Sequence, residues 1–154
     1  MGDLNYNLAI NVNFKMEIAG APEFNYFIQQ VNLPGLEMAG IETPYKNNQA
    51  FMPSNRIDYD PLNINYLVSE DFSNYIYMYN WMRDIMFDDY PKEHFRDMTL
   101  HVLNNNKLKN LQVKFYGCFP TSLMQLDLES AVADTNPLMN TVMIRYQYFE
   151  IVRK

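Results

Sequence analysis

The sequence predicts a mainly β fold: an antiparallel β-sandwich or barrel with one packed α-helix. Three observations predict it. The chain holds 12 Tyr and 10 Phe, many beside Val, Ile and Thr, the residue types that suit a pleated, half-buried surface. Several runs alternate apolar and polar residues at period two, as half-buried strands do. Only one stretch switches to a helical period, too little helix for alternating βαβ units. At 154 residues the chain suits one domain, residues 1–154, and such a domain buries about 70% of its unfolded surface.

Residues 10–18 open the fold. Ile10, Val12, Phe14, Met16 and Ile18 share one face, with Asn11, Asn13, Lys15 and Glu17 on the other. Gly20-Ala21-Pro22 ends that strand. Residues 24–33, FNYFIQQVNL, form a second strand stopped by Pro34-Gly35. Residues 36–57 read as a long loop, because Pro44, Pro53, Gly40 and several Asn interrupt them. Long loops in compact domains are usually functional or disordered, and this one keeps Tyr45, Phe51 and Met52, which a disordered linker would seldom hold. These three are expected to dock on a partner, the competing reading being a loop folded onto its own core.

Residues 62–68 alternate again. Met78, Trp81, Met82 and Ile85 then fall at i, i+3, i+4 and i+7, predicting a helix over about 71–87 with Glu70 and Asp71 at its start. Residues 97–103 and 110–117 are strands around an Asn-Asn-Asn-Lys turn. Phe119-Pro120-Thr121-Ser122 reads as a corner, followed by an apolar run of Leu123, Met124, Leu126 and Leu128 that a simple connection does not need. Residues 141–152 make a long last strand.

Composition excludes several function classes. A net charge of −6 and a pI near 4.8 argue against tight DNA binding, which needs clustered Lys and Arg, yet allow a surface past which DNA slides. Charged residues are 19% of the chain against roughly 25% in an average domain, which fits either self-assembly or an ordinary β domain. Cys118 is the single cysteine, so no intrachain disulfide forms, and a reduced compartment is the simple expectation. No secretory leader is read at the start, and no apolar run approaches the ~18 residues of a membrane span.

No catalytic pattern emerges. There is no phosphate-binding Gly-rich motif, no CxxC and no H-E-x-x-H. Of the two histidines, His101 reads as a packed or surface strand residue and His94 as a loop residue. Ser122 lacks a nucleophile-elbow context. Asp58 and Asp60 read as a turn start rather than a cation pair, and Asp88-Asp89 as a solvated helix end. The expectation is no enzyme, no metal and no cofactor.

Several segments, in order, resemble a known family: FNYFIQQVNLPGLEMAGIE, the helical YNWMRDI, VKFYGCFPTSLMQLDLES and the closing IRYQYFEI. Together they are similar to the tail tube proteins of contractile-tailed phages, from about residue 10 to the C-terminus. Met124 stands where that pattern has a small residue. The resemblance implies a structural subunit whose sheets join those of its neighbours into a hexameric β-barrel ring. Rings would stack as a tube inside a contractile sheath, with genomic DNA passing transiently and non-specifically through the channel. Implied partners are further copies, the sheath protein, and baseplate and tail terminator proteins. The implied place is the virion tail, assembled in the bacterial host cytoplasm, with no membrane. Tyr45, Phe51, Met52, Leu123, Met124 and Leu126 are then the candidate inter-subunit or inter-ring contacts. Two alternatives stay within the family, a baseplate tube initiator and the inner tube of a phage-like injection system; the scarcity of additions to the core favours the repeating tube over an initiator. A third, of another class, is a monomeric β-barrel that binds an apolar ligand.

Overall fold

A computed structural model describes residues 8, 9, 11, 13–131 and 136–153. The predicted mainly antiparallel β architecture with a packed helix is the one observed. Two four-stranded sheets share one long strand. The first contains β1 (Phe14–Ile18), β6 (Arg96–Leu103), β7 (Lys109–Leu123) and β9 (Tyr148–Arg153). The second contains β7, β8 (Met139–Arg145), β5 (Leu62–Leu67) and β2 (Ile28–Val31). All pairings are antiparallel. Between the sheets lies one core. Met16, Leu100, Val113 and Phe115 enter it from the first sheet; Leu62, Ile64, Tyr66, Val142 and Ile144 enter from the second. Truncating one of these, such as Phe115, costs about 3–5 kcal/mol, because the ring's contacts go and a cavity stays.

The hinge between the sheets is Gly117. Its φ is +63°, in the left-handed region, and a Cβ there would lie 2.6 Å from Gln147 Cγ. The register with β6 shifts at the same place, between Arg96–Cys118 and Met98–Phe115. Opposite Gly117, the last strand breaks at Tyr146-Gln147, so the single long strand expected over 141–152 is the kinked pair β8 and β9. Both strands bend together, and the ribbon they form passes from one sheet to the other.

Three expectations need correction. Residues 24–33 are not one strand: a short helix α1 (Pro22–Tyr26) precedes β2. Pro22 sits in its first turn, where a missing N–H costs nothing, and Phe24 drops into the core 4.6 Å from the Tyr66 ring. The Phe-Pro-Thr-Ser stretch is no corner but the second half of β7; it pairs only with β8 there, and such an edge tolerates Pro120. Residues 36–57 are not a loop but most of a hairpin, β3 (Leu36–Tyr45) and β4 (Asn48–Tyr59). Ile10 and Val12 lie outside the described residues, so the first strand is seen from Phe14.

The helix α2 (Ser73–Phe87) matches its expected span and buries Met78 and Trp81. Its start is held by side chains preceding and inside the first turn. Asn74 Oδ1 accepts from the Ser69 N–H at 3.1 Å, and Asn74 Nδ2 donates to the Leu67 carbonyl at 2.6 Å. The Trp81 indole N–H donates to the His94 carbonyl at 2.7 Å, tying the helix to the 3₁₀ turn at Pro91–His94. The Asn-rich turn before β7 forms as expected: Asn104 Oδ1 accepts from the N–H groups of Asn106 and Leu108.

Candidate assembly interface

Three unpartnered surfaces stand out: a hairpin, a pair of sheet edges and one face of α2.

Among the described residues, the β3–β4 hairpin pairs only with itself. Its base is anchored. Tyr59 packs edge-on against Tyr146 and Phe149, with ring centroids 5.8 and 5.5 Å away, and the Tyr146 hydroxyl donates to the Asp60 carbonyl at 2.7 Å. Beyond the base every residue of β3 is exposed. A two-residue turn at Lys46-Asn47 closes the tip, where Tyr45 faces Asn48. Direct cross-strand partners share a face, so Ile41 with Met52 and Tyr45 with Asn48 lie on one side. Glu42 and Phe51 lie together on the other. Tyr45 is 71% and Phe51 68% exposed. Pro44 and Pro53, which hid this element in the sequence, fit because each strand of a lone hairpin is an edge. An isolated two-stranded hairpin in water is marginal, and this one carries exposed apolar residues on both faces.

The sheet edges are β1 and β9 at the two sides of the first sheet, and β2 and the end of β7 in the second. Successive antiparallel pairings across the first sheet leave β9 running opposite to β1. The face of this sheet away from the core is polar. One row runs Glu17, Thr99, Lys114, Glu150 and the next Lys15, His101, Gln112, Val152. His101 is packed there, as one sequence reading had it. Its Nε2 lies 3.1 Å from Glu17 Oε2 and its Nδ1 3.2 Å from Gln112 Nε2, so both ring nitrogens are partnered. The hydrogen bonds from Lys15 and then His101 hold the Glu17 carboxyl at a pKa of about 2.

The third surface lies along α2. Tyr79, Met82, Arg83, Met86 and Phe87 line an open groove with Leu123, the last residue of β7. The Arg83 guanidinium lies 5.5 Å from the Phe87 ring centroid. The structure thus places Leu123 beside the helix. Met124 is exposed and Leu126 half-buried in the segment after β7. Asp127 and Glu129 are exposed and belong to no strand.

Titratable groups elsewhere do not converge. His94 Nε2 meets Asp88 at 2.6 Å on the surface. Burial, then the Asp97 charge, pushes the Cys118 thiol up to about 12, leaving it unreactive. Asp58 is held by Arg56 Nε at 2.7 Å, while Asp60 packs beside Gly35. Among the described residues no His, Cys, Asp and Glu group could hold a metal ion, and no helix is long and apolar enough to cross a membrane.

Sequence reasoning found the apolar residues of the hairpin but missed its strands. It missed the α2 groove because the helical pattern rested on Met78, Trp81, Met82 and Ile85; Tyr79, Met86 and Phe87 at helical spacing were the available signal.

Open sheet edges and a projecting apolar hairpin leave surfaces of the kind that contact further chains. Family comparison agrees: the phage tail tube protein family matches residues 3–152, and the chain belongs to that family. It is 27% identical over 161 aligned positions to the tail tube terminator protein of Enterobacteria phage T4, covering 95% of this chain and 90% of that one. Among solved structures, a chain of the anti-feeding prophage tube-terminating cap superposes with a TM-score of 0.76 at 13% identity, over 99% of this chain and 96% of that one. A chain of an extracellular contractile injection system's sheath–tube complex gives 0.71 at 14% identity, over 97% and 94%. At such identities the superpositions establish a shared fold.

Proposed function

We propose that this chain is the tube terminator of a contractile tail, a ring of copies that seats on the last ring of the tube and stops its growth. The observation that carries this reading is the near end-to-end similarity to the tail tube terminator of phage T4. The superposition on a tube-terminating cap supports it. The repeating tube subunit, expected from the sequence, is the second reading. The family match favours it, and so does the superposition on a sheath–tube complex.

The structure suits a ring in either case. Edge β9 of one copy can pair with edge β1 of the next without breaking the antiparallel order, which removes two exposed edges. Lys15 and Glu150 then come to the same polar face of neighbouring edges. Repetition of that head-to-tail contact closes a ring of six if each step rotates one sixth of a turn. The polar face lines the channel. It carries Glu17, Asp97 and Glu150 against Lys15 and Lys114, a near balance with a small acidic excess. Such a wall gives phosphates no cationic cluster to hold, so DNA passes without sticking. The hairpin residues Tyr45, Phe51 and Met52, with Leu123, Met124 and Leu126 near α2, form the contacts between copies or between rings.

Purified protein, imaged by negative-stain electron microscopy across a concentration series, distinguishes the readings. Isolated rings that never lengthen fit the terminator. Long hollow tubes from this chain alone overturn it in favour of the repeating subunit.

A further inference from the structure

We propose that the groove along α2 receives the hairpin tip of a second copy, with Phe51 inserted and Glu42 set on Arg83. This rests on the assembly reading above and names the surfaces that meet. The groove offers about 600 Å³ of space. Its helical side is built by Tyr79, Met82, Arg83 and Met86, which lie on successive turns and so form a strip; Phe87 flanks the guanidinium. Tyr79, Met86 and Phe87 are largely exposed, which leaves a Met- and aromatic-rich surface facing water. Such side chains adapt to an inserted ring.

The occupant follows from what the molecule leaves uncovered. Glu42 and Phe51 are direct cross-strand partners, so an acid stands beside an exposed ring at about 5 Å between Cβ atoms. In the groove a cation stands beside an apolar wall, with Arg83 5.5 Å from the Phe87 ring centroid. The two patterns are complementary in charge and similar in spacing. The other depressions fit the tip less well. One along β1 is lined by Lys15, Glu17 and Asp97, and one beyond the end of α2 by Asp84, Asp88 and Asp89, which repel Glu42. A third, at α1, is walled by Glu23, Ser73 and Asn74. The chain's own hairpin tip stays exposed on both faces, so the tip that fills the groove comes from another copy.

Charge exchange tests this. Glu42→Arg and Arg83→Glu, each folded by circular dichroism, should each raise the concentration at half-assembly about 10–100-fold. Mixed one to one they should recover wild-type assembly, measured by light scattering, because every contact in an alternating ring is again of opposite charge. A photo-reactive phenylalanine analogue at position 51 should cross-link to residues 79–87 of a second copy. The inference is overturned if the mixture assembles no better than either variant, if the single variants assemble like wild type, if the cross-link maps elsewhere, or if the wild type stays monomeric at millimolar concentration. Whether assembly stops at one ring is a separate readout. Growth into tubes contradicts the terminator reading and leaves this contact standing, while failed charge rescue does the reverse.

Discussion

Gly117 is the residue on which the two-sheet arrangement turns. Any other residue there must hold φ near +63° and place a Cβ against Gln147, so Gly117→Ala should destabilise the fold by about 1–3 kcal/mol in urea unfolding. Gln147→Ala in the same background relieves the clash but not the backbone strain, and should recover only part of the loss. Full recovery would mean that the left-handed conformation costs nothing. Glu17 carries a pH signature. Its carboxyl is held at about 2, against 4.5 for the free group, by Lys15 first and His101 second. A depressed pKa contributes stability that is present above the unfolded value and lost as pH falls through the folded one. The margin by which the wild type exceeds Glu17→Gln should therefore shrink as pH falls from about 4.5 to about 2. The sequence showed neither effect in full. A glycine inside a strand signals a bulge, but Gly117 stands at the end of the strand expected over 110–117 and only the full span of β7 places it inside one.

In the proposed assembly, the hairpin β3–β4 is the element that separates folding from contact between copies. Its base joins the aromatic cluster of Tyr59, Tyr146 and Phe149, while among the described residues its two strands pair with no other strand. Replacing residues 41–52 by a short Gly-containing turn should shift Tm by only a few degrees and abolish rings or tubes in the electron microscope. A large loss of Tm would show that the tip supports its own core. Trp81 behaves in the opposite way: Trp81→Ala should cost about 3–5 kcal/mol by removing a buried ring, quite apart from the hydrogen bond to the His94 carbonyl. Elements with strong periodicity were legible from the sequence. They include β1 from Phe14, β5, α2 and the β6–β7 turn, where burial of one face writes the pattern. The hairpin was not, because a strand buried on neither face in the subunit has no reason to alternate, and as an edge it admits prolines. Tyr45, Phe51 and Met52 were legible as apolar residues of this segment; their division between two faces depends on register, which only the pairing reveals.

At the scale of the whole molecule, the proposed ring joins β9 of one copy to β1 of the next, the two strands that end the first sheet among the described residues. The family resemblance was legible through the order of weak motifs. The proposed terminator role was not, since a terminator and a tube subunit share the fold and differ in whether a ring accepts another on its far side. The most direct test is to add this protein to preassembled tubes of the partner tube protein and image the ends by cryo-electron microscopy, then to supply fresh tube subunits. The account predicts one extra ring at one end and no further growth there. Tubes that continue to lengthen from the decorated end, or copies built in along their length, would contradict it.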